Sequence, residues 1–174
     1  MLTLSKQTDY ALLALTALVR REREAAEGGM ISVAVPAKEI AEQHDIPIEF
    51  LAKVLQKLAK AHMVTSTFGP TGGYKLARPA HEIRVGEVIA VVDGGLALAQ
   101  CMRLVDNDCE QSMRCTIRGP LTRINEEIFR VLNTLTIDQI TEPVREPELL
   151  QIALTGPARM RIEESVEQSI GAAS

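Results

Sequence analysis

The sequence predicts a mostly α-helical fold with one small β-hairpin and, after the hairpin, a long amphipathic helix. Three observations support this fold class. Apolar residues recur at helical spacing along most of the 174-residue chain. Aromatic residues make up only 3% of it, so the core must be built from Leu, Ile, Val and Ala, which suits packed helices. A turn rich in Gly and Pro, residues 69–73, separates two short runs of β-favouring residues.

The first half of the chain predicts three helices. Ser5 is a candidate N-cap for a helix that ends near Glu27, before two glycines. A short β-type run at 31–35 precedes a second helix at 37–43, and a turn leads to a third helix at 47–61. Helical spacing predicts that the first and third helices bury these side chains: Leu12, Leu13, Leu15, Leu18, Val19, Phe50, Leu51, Val54, Leu55 and Leu58.

The second and third helices, joined by a tight turn, form a helix-turn-helix, and the third is the candidate reader of the major groove of DNA. The hairpin at 63–77 follows directly and forms a wing, whose small tip residues let backbone N–H groups approach phosphates. Residues 46–79 contain five basic residues and one acidic residue, although the formal net charge of the chain is −4. Charge by itself also fits a solvated helix face, but the order of the elements favours a phosphate-binding surface.

The second half predicts helices around a polar loop. An apolar helix at 85–92 precedes the loop, a long helix at 120–134 follows it, and a short helix lies at 136–141. The long helix carries an apolar stripe that packs either within the chain or across a dimer seam: Leu121, Ile124, Ile128, Val131, Leu132 and Leu135. The chain is expected to divide into three parts: a winged helix-turn-helix domain at 1–80, the loop and dimerisation helix at 81–142, and a partly flexible extension at 143–174.

The loop contains the only three cysteines of the chain, Cys101, Cys109 and Cys115. No basic segment followed by an apolar one marks the chain for export, so we expect a cytoplasmic protein. In that compartment a tight, odd-numbered set of thiols favours a metal or cluster over a disulfide. Thiolates are soft anionic ligands that suit the iron of iron–sulfur clusters.

Other classes of function also fit parts of this pattern. Three thiolates and a carboxylate can also hold Zn²⁺ in a protein-interaction module. Thiols without any metal can act as a redox switch in a protein that binds DNA. An enzyme is disfavoured because the chain has no Gly-rich phosphate loop and no recognisable Ser/His/Asp arrangement. No apolar run is long enough to span a bilayer, so no membrane partner is expected.

Four segments of residues 2–141 are distinctive together with the three cysteines: LTLSKQTDYALLAL, VLQKLAKAHMV, GPTGGYKLARP and VGEVIAVVDG. In these features the chain resembles the winged-helix iron–sulfur transcription regulators that include IscR, NsrR and RirA. The resemblance implies a homodimer with an amino-terminal DNA-binding domain, a long dimerising helix, and an iron–sulfur cluster, 4Fe–4S or 2Fe–2S, held by the cysteine loop. Its operator would be a pseudo-palindrome in double-stranded DNA.

The resemblance also implies a fourth cluster ligand. The histidine of IscR-like proteins falls at Arg118, and a guanidinium cation cannot ligate iron. The aspartate of NsrR-like proteins, which comes from the first helix of the other subunit, falls at Asp9. A carboxylate in a first helical turn also stabilises the helix dipole, so both roles stay open for Asp9.

The expected DNA contacts lie in the reading helix, in the wing and at the start of the first helix. Gln56 is expected to read a base edge, and Lys53 and Lys57 to hold phosphates. Phe50 and Tyr74 are expected mainly to pack. Where IscR-like proteins carry a reading glutamate and a wing arginine, this chain has Ala52 and Phe68, so the operator sequence is not carried over. The remaining expected contacts are Ser5, Lys6, Ile48, Glu49, Thr71, Gly72, Gly73, Tyr74 and Lys75.

Overall fold

The computed structural model describes residues 3–29, 34–69, 72–99, 102 and 114–142. Cys101, Cys109, Thr71 and the predicted extension at 143–174 lie outside the described residues. The elements follow in chain order: α1 (Lys6–Glu27), α2 (Ala37–Gln43), α3 (Ile48–Lys60), β1 (Val64–Thr67), β2 (Gly73–Leu76), a 3-10 turn (Ala80–Glu82), α4 (Val85–Asp93), α5 (Arg118–Thr134) and α6 (Ile137–Thr141).

Helix α1 begins where its cap predicts. The Ser5 side chain accepts a 3.1 Å hydrogen bond from the Thr8 N–H, which satisfies one of the free donors of the first turn. Its buried side is centred on Ala11, Ala14, Leu15 and Leu18. Leu13 was wrongly predicted to be buried, because it lies on nearly the opposite side of the helix from this stripe.

The helix-turn-helix packs beside α1. Helix α2 and helix α3 are joined by a turn in which Asp45 has a φ of 51°. Helix α3 contacts α1, α2, α4 and β1. The apolar stripe of α3 is completely buried: Leu51, Val54, Leu55 and Leu58 are each at most 1% exposed.

The wing is a two-stranded antiparallel hairpin, with Val64 opposite Leu76 and Thr67 opposite Gly73. Its base is pinned by a third backbone segment. The Val35 N–H donates to the Tyr74 carbonyl and the Tyr74 N–H donates back, both at 2.8 Å. Val35 belongs to the predicted β-type run at 31–35, of which residues 31–33 lie outside the described residues.

Helix α5 begins at Arg118, two residues before the predicted start at Pro120. Proline is tolerated there because the N–H groups of a first helical turn have no intrahelical acceptor. Helix α5 packs on α4, and α6 returns the chain to α1, where Ile137 is fully buried. The predicted class, mostly α with one hairpin in a winged helix-turn-helix followed by a long helix, is confirmed. The division at residue 80 stays a prediction.

Candidate nucleic-acid interface and cysteine loop

The reading helix α3 presents a polar face opposite its buried stripe. Glu49, Lys53, Gln56 and Lys60 are exposed there, because they lie half a turn away from the residues that pack against α1 and α4. Ile48, at the start of the helix, is 46% exposed. Four of the expected DNA contacts, Ile48, Glu49, Lys53 and Gln56, are therefore accessible to a duplex along the helix.

Phe50 corrects one sequence prediction. It was expected in the core, but it is 54% exposed, because it lies at the edge of the stripe formed by Leu51 and Leu55. The Lys53 ammonium lies 5.8 Å from the centre of its ring, a cation–π contact that orients the lysine. The interface therefore includes an accessible aromatic ring that a simple apolar count assigns to the core.

Lys57 has a different environment from Lys53, although both were expected to hold phosphates. Its ammonium donates to the Val92 carbonyl at 2.7 Å and to the Gln7 side chain at 2.8 Å. A cation beside the last carbonyls of a helix is stabilised by the helix dipole. Lys57 therefore ties the reading helix to the carboxyl end of α4 and to the first turn of α1.

The first turn of α1 is fastened to the same place. Asp93, the last residue of α4, accepts hydrogen bonds from the Ser5 hydroxyl at 2.7 Å and from the Thr8 hydroxyl at 2.8 Å. Ser5, an expected DNA contact, thus already uses its hydroxyl within the chain. Lys6 is well exposed, and its ammonium lies 3.9 Å from the carboxylate of Asp9.

The backbone of the wing tip requires glycine. A Cβ at Gly72 would lie 2.6 Å from the Thr67 carbonyl oxygen, and one at Gly73 would lie 2.3 Å from the carbonyl oxygen of Val35. Tyr74 is partly buried and packs against the core. The wing and its anchor are therefore closely packed backbone with little room for side chains.

Lys75 of the wing lies near an acidic group of α1. Burial raises the pKa of the Glu22 carboxyl, while a hydrogen bond from the Leu76 backbone and the charge of Lys75 lower it, with burial the largest influence. The positive charge of Lys75 therefore faces a carboxyl within the chain as well as solvent.

The segment that leads into the cysteine loop is held by α5. The Asn125 side chain accepts a 3.0 Å hydrogen bond from the Leu98 N–H and donates a 2.9 Å hydrogen bond to the Leu96 carbonyl. Sequence reasoning missed this contact, since an asparagine in a long helix gives no local signal of its partner. Asn125 and Asp93 together hold the backbone of the segment that leads into the cysteine loop.

Of the three cysteines, the described residues include only Cys115, which is partly buried and lies shortly before α5. Asp9 lies in the first turn of α1 with 42% of its side chain exposed. Arg118, the position of the alternative ligand, is exposed at the start of α5. No set of three potential metal ligands comes together within the described part of the chain, which leaves out Cys101 and Cys109.

The apolar stripe of α5 is only half covered. Leu132 packs against the core, and Leu121 and Ile128 are partly buried. Ile124, Val131 and Leu135 are 49%, 60% and 38% exposed. This long helix therefore presents an apolar surface for which the described residues of the chain provide no complete cover.

A winged helix-turn-helix with an accessible reading helix is an architecture of DNA-binding proteins. The chain matches the model of the Rrf2 family, described as an iron-dependent transcriptional regulator, over residues 4–143. The chain belongs to this family. Its relatives are regulators, not enzymes. No helix within the described ranges has the length and hydropathy to cross a membrane.

Individual relatives agree with the family. The chain is 34% identical over 153 residues to the HTH-type transcriptional regulator NsrR of Oceanobacillus iheyensis. The matched residues cover 87% of this chain and 96% of that protein. It is 33% identical over 119 residues to the transcriptional regulator IscR of Vibrio campbellii, covering 68% of each. Among solved structures, T. potens IscR superposes with a TM-score of 0.60 at 25% identity, covering 80% of this chain and 85% of that one. CymR of B. subtilis, described as a global cysteine regulator, shares the fold with a TM-score of 0.61 at 23% identity, covering 81% and 97%.

Proposed function

We propose that this chain is a homodimeric Rrf2-family regulator that senses iron, iron–sulfur supply, nitric oxide or redox state through an iron–sulfur cluster held by Cys101, Cys109 and Cys115. One observation carries the proposal. The backbone that leads into the cysteine loop is attached to the reading helix through Lys57 and Val92, and to α5 through Asn125. A change in the loop therefore has a physical route to both the DNA-binding and the dimerising elements.

The donors present suit such a cluster. Thiolates are the usual ligands of iron–sulfur iron, and three of them leave one iron site for another donor. The Asp9 carboxylate is available for that role, because its ion pair with Lys6 is long at 3.9 Å and exposed. Its helical turn is bonded to Asp93, which precedes the loop. We assign Asp9 as the fourth ligand, contributed by the partner subunit.

When bound, the cluster supplies an iron–sulfide centre that responds to iron supply and to oxidants. The chain transmits this response through its own contacts. Asp93 holds the first turn of α1, and Val92 holds the ammonium of Lys57 on α3. Because Val92 and Asp93 precede the cysteine loop in the chain, a cluster held by the three thiolates would act on both contacts and so on the spacing of the two reading helices, for which a pseudo-palindrome with half-sites ~10 bp apart is expected.

Anaerobic purification followed by visible absorbance, iron and sulfide analysis and native mass spectrometry tests the cofactor. We expect a brown protein with one cluster per subunit, bleached by Cys101→Ala, Cys109→Ala or Cys115→Ala. Full iron and sulfide retention in any of these variants would remove that cysteine from the ligand set. A colourless protein with stoichiometric zinc would contradict the cluster.

Mixed dimers test the role of Asp9. A subunit with Asp9→Ala retains all three thiols, and a subunit with Cys115→Ala retains Asp9. If Asp9 acts across the dimer, the mixed dimer assembles one complete site, and half of the wild-type cluster load returns with wild-type stability. If the mixed dimer is as labile as the Asp9→Ala homodimer, Asp9 does not ligate the cluster of the partner.

A thiol redox switch without a cluster is the second candidate. The partial exposure of Cys115 favours it, because an accessible thiol can be oxidised reversibly. In that case the metal-free protein would lose DNA binding on treatment with peroxide and regain it with a thiol reductant. Retention of the full response in metal-free protein would favour the switch over the cluster.

A further inference from the structure

The wing carries the most exposed large apolar side chain among the described residues. Phe68 is 97% exposed, whereas the other exposed large apolar side chains lie between 36% and 60%. An aromatic ring left wholly in water gives up the burial that normally stabilises it. The ring therefore adds little to the packing of the described chain and is available to contact a partner.

The scaffold beneath Phe68 is stiff. The preceding residue, Thr67, is paired with Gly73, and the next strand is bonded on its other side to Val35. The Gly72 N–H closes the turn by donating to the Gly69 carbonyl at 2.9 Å. A rigid support lowers the entropy lost when a side chain binds. The wing thus presents a preorganised ring at its tip.

The position of the wing indicates the partner. The hairpin directly follows the reading helix, within residues 46–79 that carry five basic residues and one acidic residue. When a reading helix occupies the major groove, a neighbouring projection can reach the adjacent minor groove, as the amino-terminal arm of homeodomains does. Apolar side chains that enter the minor groove wedge between base pairs, partly unstack them and bend the duplex.

We propose that Phe68 is a minor-groove wedge that unstacks one base step of the operator and selects for steps that deform easily. Pyrimidine–purine steps such as TA cost least to unstack, so they are the expected preference beneath the wing. The inference rests on the DNA-binding function of the chain. A phenyl ring carries no charge, so its contribution should not depend on salt, unlike that of a phosphate-binding lysine.

The experiment uses a duplex selected from a randomised pool by the full-length wild-type protein. We expect Phe68→Ala to weaken binding by about tenfold, the size of one lost base–aromatic stack, with an unchanged dependence on salt. Phe68→Leu should retain most of the affinity because leucine can also act as a wedge. Lys53→Ala is the control, and it should reduce the slope of log K against log salt by about one. All three variants should keep the wild-type thermal midpoint.

A duplex with 2-aminopurine placed under the wing reports unstacking directly. Its fluorescence should rise on binding of wild type and Phe68→Leu, and stay low with Phe68→Ala. Changing the step from TA to AA should weaken the wild type more than Phe68→Ala. Equal affinity and equal fluorescence for wild type and Phe68→Ala would overturn the wedge. A change of oligomeric state in Phe68→Ala would also overturn it, because the ring would then belong to a protein–protein contact. If the wild type retained no specific duplex, the DNA-binding function itself would fail.

Discussion

Helices α3 and α5 carry similar apolar stripes and bury them very differently. In α3 four apolar residues are at most 1% exposed, while α5 has no buried residue among its seventeen. The difference lies in their surroundings: α3 contacts α1, α2, α4 and β1, whereas α5 packs mainly on α4. Periodicity therefore shows that a helical face needs cover, but not whether the same chain or a second copy provides it.

The largest effect is expected on the covered stripe. Leu55→Ala removes a fully buried side chain of α3, a helix that packs against α1 and α4, and leaves a cavity. We expect the free energy of unfolding to fall by ~2–5 kcal/mol at any protein concentration. Urea denaturation at two protein concentrations measures the loss of free energy and shows whether it depends on concentration. A loss below ~1 kcal/mol would mean that the packing around α3 collapses to fill the space.

Changes on the half-covered stripe should break the proposed dimer and leave the fold intact. Val131→Glu places a charge on an apolar surface that is 60% exposed in the single chain, so the helix content should not change. Light scattering should detect monomers, and affinity for the selected pseudo-palindrome should fall by roughly 100-fold because the two half-sites no longer bind as one unit.

Arg123→Glu is the matched control for this change, since it also adds acidic charge to an exposed position of α5. It should remain dimeric and keep cooperative DNA binding. If Val131→Glu also remained dimeric at low concentration, the seam would lie elsewhere and the apolar stripe of α5 would need another explanation.

Lys53 and Lys57 extend the comparison to two lysines on one helix. Lys57→Met removes two hydrogen bonds that reach α1 and α4, so it should lower the free energy of unfolding by about 1–2 kcal/mol. Lys53→Met should leave stability unchanged and reduce the salt slope of DNA binding by about one. If Lys57→Met instead reduced the salt slope and left stability unchanged, Lys57 would leave its intramolecular partners to hold a phosphate.

The smallest effect concerns Glu22, at the contact between α1 and β2. Burial raises the pKa of this carboxyl above its ordinary value, so the folded state binds its proton more tightly than the unfolded state does. Stability should therefore fall as pH rises from the ordinary pKa through the raised one, and remain reduced at neutral pH.

Glu22→Gln removes this titration. The variant should gain stability relative to wild type between pH 4 and pH 7, by an amount limited by the partial exposure of the site. Glu27→Gln, the same change at an exposed position of the same helix, is the control substitution. A Glu22→Gln variant less stable than wild type at pH 7 would show that attraction to Lys75 outweighs burial.

Local sequence signals accounted for most element boundaries. Ser5, Pro36, Pro47 and Gly94 lie at the helix ends they predict, since caps and turn residues act within a few residues of themselves. The start of α5 was missed by two residues because Pro120 is equally acceptable at several positions of a first turn.

By itself, the sequence determined the order of elements, the buried stripe of α3, the basic segment of the reading helix and wing, and the family. These depend on spacing and composition, which are local properties. Only the tertiary structure decided that Phe50 is exposed, that Lys57 is bonded to α4, and that Asn125 holds the segment that leads into the cysteine loop. Each depends on which distant residues meet a side chain, and periodicity along a single helix carries no information about that.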